Sequence, residues 1–359
     1  MLEHTTRNMA TKEYLVEVIE VSATIKEIAA VAEVSRGTVD RVLNNRGRVN
    51  PEVAQRVKKI AEALGYKPNS AAKALATLKK RMVFGVLLPS VNNPFFIDVI
   101  KGIYEAQEEL ADFAVKVILK EISGYEIENQ LQAIDELLAE DISALAILPI
   151  DDVKIAQKIE AVVHLGIPVV TINSDIKNSL RSCYVGIDFA KSGKLAAGLM
   201  GLINERANVL ILTGSSKLLS HNQRVQGFNE VISKRYPNVK IAETLVCNDN
   251  NFIAYDLVLQ ALGAHPEIDA LFIAAGGIKG ACEAISRYPD RKISVICFDD
   301  IPHIKNLIEE GKISATICQQ PFEQGYETIS RMFRFFTEQD QSSPESILMD
   351  SIIKINENI

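Results

Sequence analysis

Several short segments close apolar runs with side chains built for hydrogen bonding and stacking. "PSVNNPFF" ends the run that starts at Met82, and "NSDI" ends "PVVTI". "HNQRVQGF" follows "ILTGSS", "FDD" closes "ISVIC", and "QQPFEQGY" closes "ATIC". A carboxylate accepts hydrogen bonds, a guanidinium donates them in a fork, an amide does both, and an aromatic face covers C–H surface. That is equipment for holding a small polar molecule. A different set occupies Val34 to Asn45, "VSRGTVDRVLNN". Its arginines suit a polyanion, and an arginine fork matches the O6/N7 edge of guanine. Signals for bond-making chemistry are missing. The chain has no P-loop, no HExxH and no GxSxG; "GGIKG" is not GxGxxG and lacks the dinucleotide context. "SHNQR" has no nucleophile elbow, and five scattered histidines make no metal cluster. No catalysis, no cofactor and no metal are expected.

Elements must position these groups. From Met82 on, buried-type strands alternate with amphipathic helices: "MVFGVLLP", "FFIDVIKGIYEAQEEL", "AVKVILK", "YEIENQLQAIDELLAE", "ALAILP", "KIAQKIEAVVHLG", "PVVTIN". The cycle resumes with "AKSGKLAAGLMGLINE" and runs through "NVLILTG", "KIAETL" and "ALFIAAG" to "ISVICFDD". Such βαβ repetition predicts an α/β fold with parallel sheets covered on both faces. Ligands then bind beyond the carboxyl ends of the strands. The run is too long for one compact sheet, which predicts two lobes.

The amino-terminal part obeys another rule. Thr24 and Glu27 form a capping box ahead of a stripe of Ile25, Ile28, Ala29 and Ala32. After a turn through Glu33 and Val34, Ser35 caps a second helix with Val39, Val42 and Leu43 inward. Asn50 and Pro51 open a third, with Val53, Val57, Ile60, Ala61 and Leu64 as its core stripe and Gly65 as its stop. Two helices joined by a tight turn and braced by a third predict a small all-α helix-turn-helix domain. Charge agrees. Thr24 to Arg81 holds 13 Lys and Arg against 5 Asp and Glu, whereas the whole chain holds 39 against 46, net −7. A basic module on an acidic body points to a polyanion partner for one end only.

"TIKEIAAVAEVSRGTVDRVLNNRGRVNPEVAQRVKKIAEALGYKPNSAAKALA" resembles the DNA-binding headpiece of the LacI/GalR repressor family, without a gap over more than fifty residues. The resemblance implies that the helix from Ser35 lies in the major groove. Arg36, Gly37 and Arg41 then fall at base-reading positions, and Ser35 and Thr38 at phosphates. Thr24 and Asn44 join the DNA-contacting set, as do Asn69 and Ala72 in "YKPNSAAKALA", which matches the family's hinge helix. Leu75 holds the place of the leucine that wedges into the minor groove, where an apolar side chain unstacks a base step. Two positions depart from the pattern. Glu33 replaces the usual turn glycine, and Asp40 a serine beside the groove.

The body, over roughly residues 82 to 358, resembles the periplasmic sugar-binding-protein fold and its repressor-borne form, closest to the ribose-binding-like branch. The resemblance implies that Asn93, Phe95 and Phe96 line the first lobe, the phenyl rings stacking on a sugar. Asn173, with Ser174 or Asp175 beside it, would meet hydroxyls, and Arg224, Asp299 and Gln319 would come from the second lobe, with His221 adding a contact. The competing readings are core packing for the phenylalanines, a helix cap for Asp299 and a structural ion pair for Arg224. Ala275, Gly276 and Gly277 stand where sugar binders carry an Asn-Asp pair, and Ser174 where the ribose branch has arginine. These departures argue against plain ribose and leave a sugar, a sugar derivative or a cyclitol.

These patterns divide the chain into four parts: an N-terminal extension (1–21), a helix-turn-helix domain (22–66), a hinge helix and linker (67–81), and a two-lobed periplasmic-binding-protein-like body for effector binding and dimerisation (82–359). The function expected is that of a ligand-responsive transcriptional repressor. Its partners are a pseudo-palindromic operator DNA and a second copy of itself, and no membrane. The alternative is a sugar-binding receptor with no DNA role. No run of ~18 apolar residues exists to span a bilayer. The first twenty residues lack a secretory pattern whether translation starts at Met1 or Met9. None of the five cysteines makes a CxxC pair, which suits reduced, buried thiols and a cytoplasmic location. No leucine heptads come after the body, so a coiled-coil tetramer is not expected.

Overall fold

The computed structural model describes residues 25–43, 49–64, 82–91, 93–337 and 346–359. The chain divides into two compact units, Met1–Ser70 and Ala71–Ile359. The capping residue Thr24, the loop residue Asn44, the stop residue Gly65 and the hinge residues Asn69, Ala72 and Leu75 lie outside the described residues.

In the first unit, α1 (Ile25–Val31), α2 (Arg36–Leu43) and α3 (Pro51–Ala63) close on a core of Ile28, Ala29, Ala32, Val39, Val42, Val57 and Ala61. Ser35 Oγ accepts from Thr38 N–H at 3.1 Å, and Asn50 Oδ1 from Glu52 N–H at 2.9 Å, so both caps are made. The turn after α1 is a Schellman closure. Val34 N–H donates to Ala29 O and Glu33 N–H to Ala30 O. Glu33 sits at its left-handed position with φ 52°, where glycine is the residue without penalty. Leu64 corrects the expectation from the stripe: it is the C-cap of α3 and 40% exposed, not part of the core.

The second unit holds two six-stranded sheets. The first has the order β11-β5-β4-β3-β1-β2 and the second β12-β10-β9-β8-β6-β7. The first-lobe strands are β1 (Met82–Leu88), β2 (Val115–Glu121), β3 (Ala144–Ile147), β4 (Val169–Ile172), β5 (Cys183–Ile187) and β11 (Ser346–Met349). Those of the second lobe are β6 (Ala207–Thr213), β7 (Val239–Val246), β8 (Ala270–Ile273), β9 (Ser294–Phe298), β10 (Ala315–Cys318) and β12 (Ile352–Lys354). All pairings are parallel except β10 with β12. The chain passes between lobes three times: after β5, after β10, and between β11 and β12. The central strands β1, β3, β4, β8 and β10 are buried at every residue, which is why they read as continuous apolar runs.

Helices cover the sheets. In the first lobe these are α4 (Phe96–Glu109), α5 (Ile127–Ala139), α6 (Val153–His164) and α12 (Pro321–Thr337). In the second they are α7 (Phe189–Ile203), α8 (Leu219–Arg235), α9 (Asn251–Ala264), α10 (Ile278–Ile285) and α11 (Pro302–Glu309). Three helix crossings are close enough to require glycine: α4 with α12, α7 with α8, and α9 with α10. Gly193 of α7 lets the α8 backbone approach so closely that an added Cβ would lie 2.1 Å from Arg224 O. The absence of a side chain at Gly193 therefore sets the height of Arg224.

Candidate functional site

On α2, Arg36, Gly37 and Arg41 are exposed and lie on the side away from buried Val39 and Val42, as ~100° per residue dictates. A Cβ at Gly37 would meet only Ser35 Oγ, at 3.7 Å, so this surface is open. The Ser35 and Thr38 hydroxyls bond each other at 2.9 Å and stiffen the first turn.

Between the lobes lies a cavity of about 570 Å³. Asn93, Phe95, Phe96, Asn173, His221, Arg224, Asp299 and Gln319 all line it. Each comes from the segment after a strand's carboxyl end or the first two turns of the helix that follows, where parallel sheets leave open groups.

The second lobe supplies the charged wall. Asp299 comes directly after β9 with a left-handed φ of 72°, and its Oδ1 accepts from Gln319 Nε2 at 2.6 Å. It does not cap the next helix: α11 begins after Ile301 with no side-chain cap bond. Burial pushes the Asp299 carboxyl up to about 6, against the pull of Arg224 and Gln319. Arg224 is 4% exposed. Its guanidinium lies 3.7 Å from the Phe298 ring centroid and 4.7 Å from that of Phe189. Nη1 donates to Ala274 O at 2.9 Å, and Nε has no partner. Burial lowers its pKa to about 10, while Asp299 and Asp249 favour the charge. The arginine is thus held by two aromatic faces and one carbonyl, with donor capacity left over.

Amides link the two walls. Gln319 Oε1 accepts from Asn173 Nδ2 at 3.4 Å, and the same Nδ2 reaches Gln324 Oε1 at 3.1 Å. A run from Asn173 through Gln319 to Asp299 therefore crosses from the end of β4 to the end of β9. On the first lobe, Asn93 Oδ1 accepts from Phe95 N–H at 3.1 Å. Phe95 and Phe96 meet edge to face, centroids 5.2 Å apart. Both belong to the first-lobe core and also line the cavity, so core packing and ligand contact are compatible roles for these rings. His221 Nδ1 accepts from Ser215 N–H at 2.9 Å, which places the neutral ring's proton on Nε2. Burial lowers its pKa.

Two expected residues turn away from the cavity. Asp175 makes a two-pronged ion pair with Arg181, at 2.6 and 2.7 Å, and accepts from Thr171 Oγ1 at 2.8 Å. Ser174 is fully buried, and its hydroxyl accepts from Ser220 N–H at 3.3 Å. Further lining residues are absent from the sequence expectation, among them Asp249, Phe189 and Tyr125. The first has a legible signal. Asn248 and Asp249 take φ of 51° and 57°, and an Asn-Asp pair after a strand is the sequence for such a left-handed turn. The apolar pattern ends that strand at Leu245, short of the pair. Phe189 opens a helix after β5, which the alternation does not reveal.

The five cysteines are buried and unpaired, and burial raises the pKa of each. Among the described residues no cluster of three or more His, Cys, Asp or Glu side chains is placed to hold a metal, and no helix is long and apolar enough to cross a membrane.

Known families match both parts of this layout. The model for "periplasmic binding protein domain" matches residues 84–338, and that for "bacterial regulatory proteins, lacI family" matches residues 24–69. The chain is a lacI-family bacterial regulatory protein with a periplasmic-binding-protein body. The lacI-family headpiece makes it a DNA-binding transcriptional regulator whose second unit has the fold of a small-molecule receptor. The regulator is 28% identical over 312 residues to the ribose operon repressor of Halalkalibacterium halodurans, covering 83% of this chain and 85% of that one. A ribose import binding protein of Bacillus subtilis is 28% identical over 245 residues, 68% of this chain and 78% of its own. Among solved structures, a solute-binding protein from Burkholderia graminis in complex with D-arabinose superposes with a TM-score of 0.73 at 25% identity, covering 78% of the regulator and 96% of that chain.

Proposed function

We propose that the regulator is a repressor whose operator affinity is controlled by a small, neutral polyhydroxy compound held between the lobes, a sugar, sugar derivative or cyclitol. One observation carries the reading: Arg224, Asp299 and Gln319 meet in one cavity with Asn173, beside the rings of Phe95 and Phe96. Asp299 accepts from hydroxyls, Arg224 donates with the capacity its partners leave over, and the rings cover the C–H face. The relatives that bind ribose or D-arabinose support the compound class. The family and these relatives are regulators and binding proteins, and the proposed role involves no turnover.

In this reading residues 22–66 form the reading head, 67–81 the hinge, and 82–359 the effector and dimerisation body behind an extension of 1–21. Arg36, Gly37 and Arg41 read base edges in the major groove, Ser35 and Thr38 meet phosphates, and Leu75 wedges the minor groove. Two copies of the chain match a pseudo-palindromic operator. An exposed apolar face supports the pairing. The outermost strand β7 is exposed along most of its length, including Ile241 and Val246, and Phe252 of α9 is 85% exposed beside Ile253 at 40%. The working place is the cytoplasm, beside the DNA.

The test is a salt-controlled gel shift on the DNA upstream of the regulator's own gene, repeated with a panel of monosaccharides and cyclitols. A sequence-specific shift relieved or strengthened by one of them is expected. Binding of a sugar without any specific shift would favour a receptor with no DNA role.

A further inference from the structure

The cavity is closed by contacts that the polar recognition set does not include. Residues 215–220 leave the second-lobe sheet after β6 and dock on the first lobe. Leu218 is 3% exposed and belongs to the first-lobe core with Phe95, Phe96 and Leu148, although its chain neighbours belong to the second lobe. Beside it, Lys217 O accepts from Asp151 N–H at 2.8 Å, and Lys217 Nζ donates to Tyr125 O at 3.0 Å. At another point of the cavity wall, Tyr125 Oη donates to Asp249 Oδ2 at 2.9 Å. Asp249 itself is anchored in the second lobe, where its Oδ1 accepts from Gly276 N–H at 2.7 Å. Tyr125 and Leu218 therefore each reach across from one lobe into the other, and both line the cavity.

These contacts differ in kind. The Tyr125 bond ends on a carboxylate, the stronger class of hydrogen bond. The Leu218 contact is apolar burial, indifferent to the geometry of a ligand. Both break if the lobes part. Neither needs a ligand atom to form, so they act on the balance between open and closed lobes before any effector contact counts. We propose that Tyr125 and Leu218 are the closing contacts of the cleft, and that they set the effector concentration at which the regulator responds. The proposal rests on the cleft being the effector site.

A pair of spin labels tests it without a ligand. Lys154→Cys on the first lobe and Glu283→Cys on the second provide exposed attachment points, while the native thiols are buried. Electron–electron distance measurements on the full-length protein should resolve a short, closed-lobe separation from a longer, open-lobe one. Tyr125→Phe keeps the ring and removes one hydrogen bond to a charged group, so the open-to-closed ratio should rise about tenfold or more. Leu218→Ala removes most of a buried side chain and should raise it about tenfold to a hundredfold. Asp249→Asn added to Tyr125→Phe should give little further opening, because both act on one bond. The short distance should grow in population as D-arabinose is titrated in, and the variants should need more of it. Distance distributions for Tyr125→Phe and Leu218→Ala that match the parent's overturn the proposal. If Leu218→Ala fails to fold, Tyr125→Phe decides alone. A parent that ignores D-arabinose sinks that choice of sugar and leaves the ligand-free comparison to decide closure.

Discussion

Arg36 and Arg224 are the same side chain in opposite settings. Arg36 stands exposed at the first position of α2, on a turn stiffened by Ser35 and Thr38. Arg224 is buried between two aromatic rings and held by the carbonyl of Ala274. An exposed guanidinium gives up little water until a partner arrives, so its contribution is selective recognition of that partner. A buried one has already lost its water, and the protein has built a wall around it. Substitution at Arg36 should therefore touch binding alone, and substitution at Arg224 both binding and folding.

The largest expected effect is at Arg224. Arg224→Ala leaves Asp299 enclosed without its counter-charge and empties the space between Phe189 and Phe298. Removing one member of such a set costs about 3–5 kcal/mol. Calorimetry and a chemical-unfolding curve should show lost effector binding together with lowered stability. Arg224→Lys should rescue only part, because an ammonium cannot reproduce the fork or the stacking. An Arg224→Ala protein with parental stability and effector response would dissolve the contrast.

Next comes Arg36→Ala, expected to weaken operator binding by about 1–3 kcal/mol, with effector binding and thermal stability unchanged. Competition gel shifts against random DNA check it. Equal losses on both DNAs would reassign Arg36 from base to phosphate contact.

The third effect is a pH dependence carried by Asp299. Its folded pKa, about 6, is above the ordinary carboxylate value of 3.8. The folded state therefore holds this proton more tightly than the unfolded one. The resulting stability is fully present below the unfolded value and is lost as pH rises through about 6. Asp299→Asn keeps an acceptor for Gln319 but cannot titrate. Lowering the pH from 7 to 5 should stabilise the parent relative to this variant by about 1 kcal/mol. Paired unfolding curves at the two values read the difference, and a parallel response in both proteins would place the titration elsewhere.

The smallest is in the headpiece. Glu33 occupies a left-handed position that glycine takes without strain, partly offset by glycine's greater freedom when unfolded. Glu33→Gly should stabilise the headpiece by about 0.5–1 kcal/mol, seen as a higher unfolding midpoint for that unit. A lower midpoint would mean that the glutamate side chain stabilises the turn.

Much of this is legible in the residues themselves. The capping residues Ser35 and Asn50, the apolar stripes of α1 to α3 and the strand–helix alternation of the body are local patterns with periods of 3.6 and 2, and local patterns survive in a sequence. The rule that parallel strands present open groups at their carboxyl ends picks out the segments, and the resemblance to sugar-binding proteins names within them Asn93, Phe95, Phe96, Asn173, His221, Arg224, Asp299 and Gln319, which all line the cavity. The strands β5, β11 and β12 escape the pattern. They have five residues or fewer, and β11 and β12 are only partly buried, so their neighbours define them more than their own residues do.

What the tertiary structure decided is which way neighbouring side chains point. Asn173, Ser174 and Asp175 are consecutive and all polar, yet only Asn173 faces the cavity. Arg181 takes Asp175 and the Ser220 amide takes Ser174, through partners 6 and 46 residues away. Asp249 counts as a cavity residue only because Gly276 and Tyr125, 27 and 124 residues distant, hold its carboxylate there. Composition and spacing by themselves determined a basic helix-turn-helix unit and a two-lobed parallel α/β body; the resemblance supplied their roles as DNA headpiece and receptor. Which carboxylate is spent on an internal ion pair and which faces the cavity depends on desolvation and hydrogen-bond partners that only the folded chain brings together.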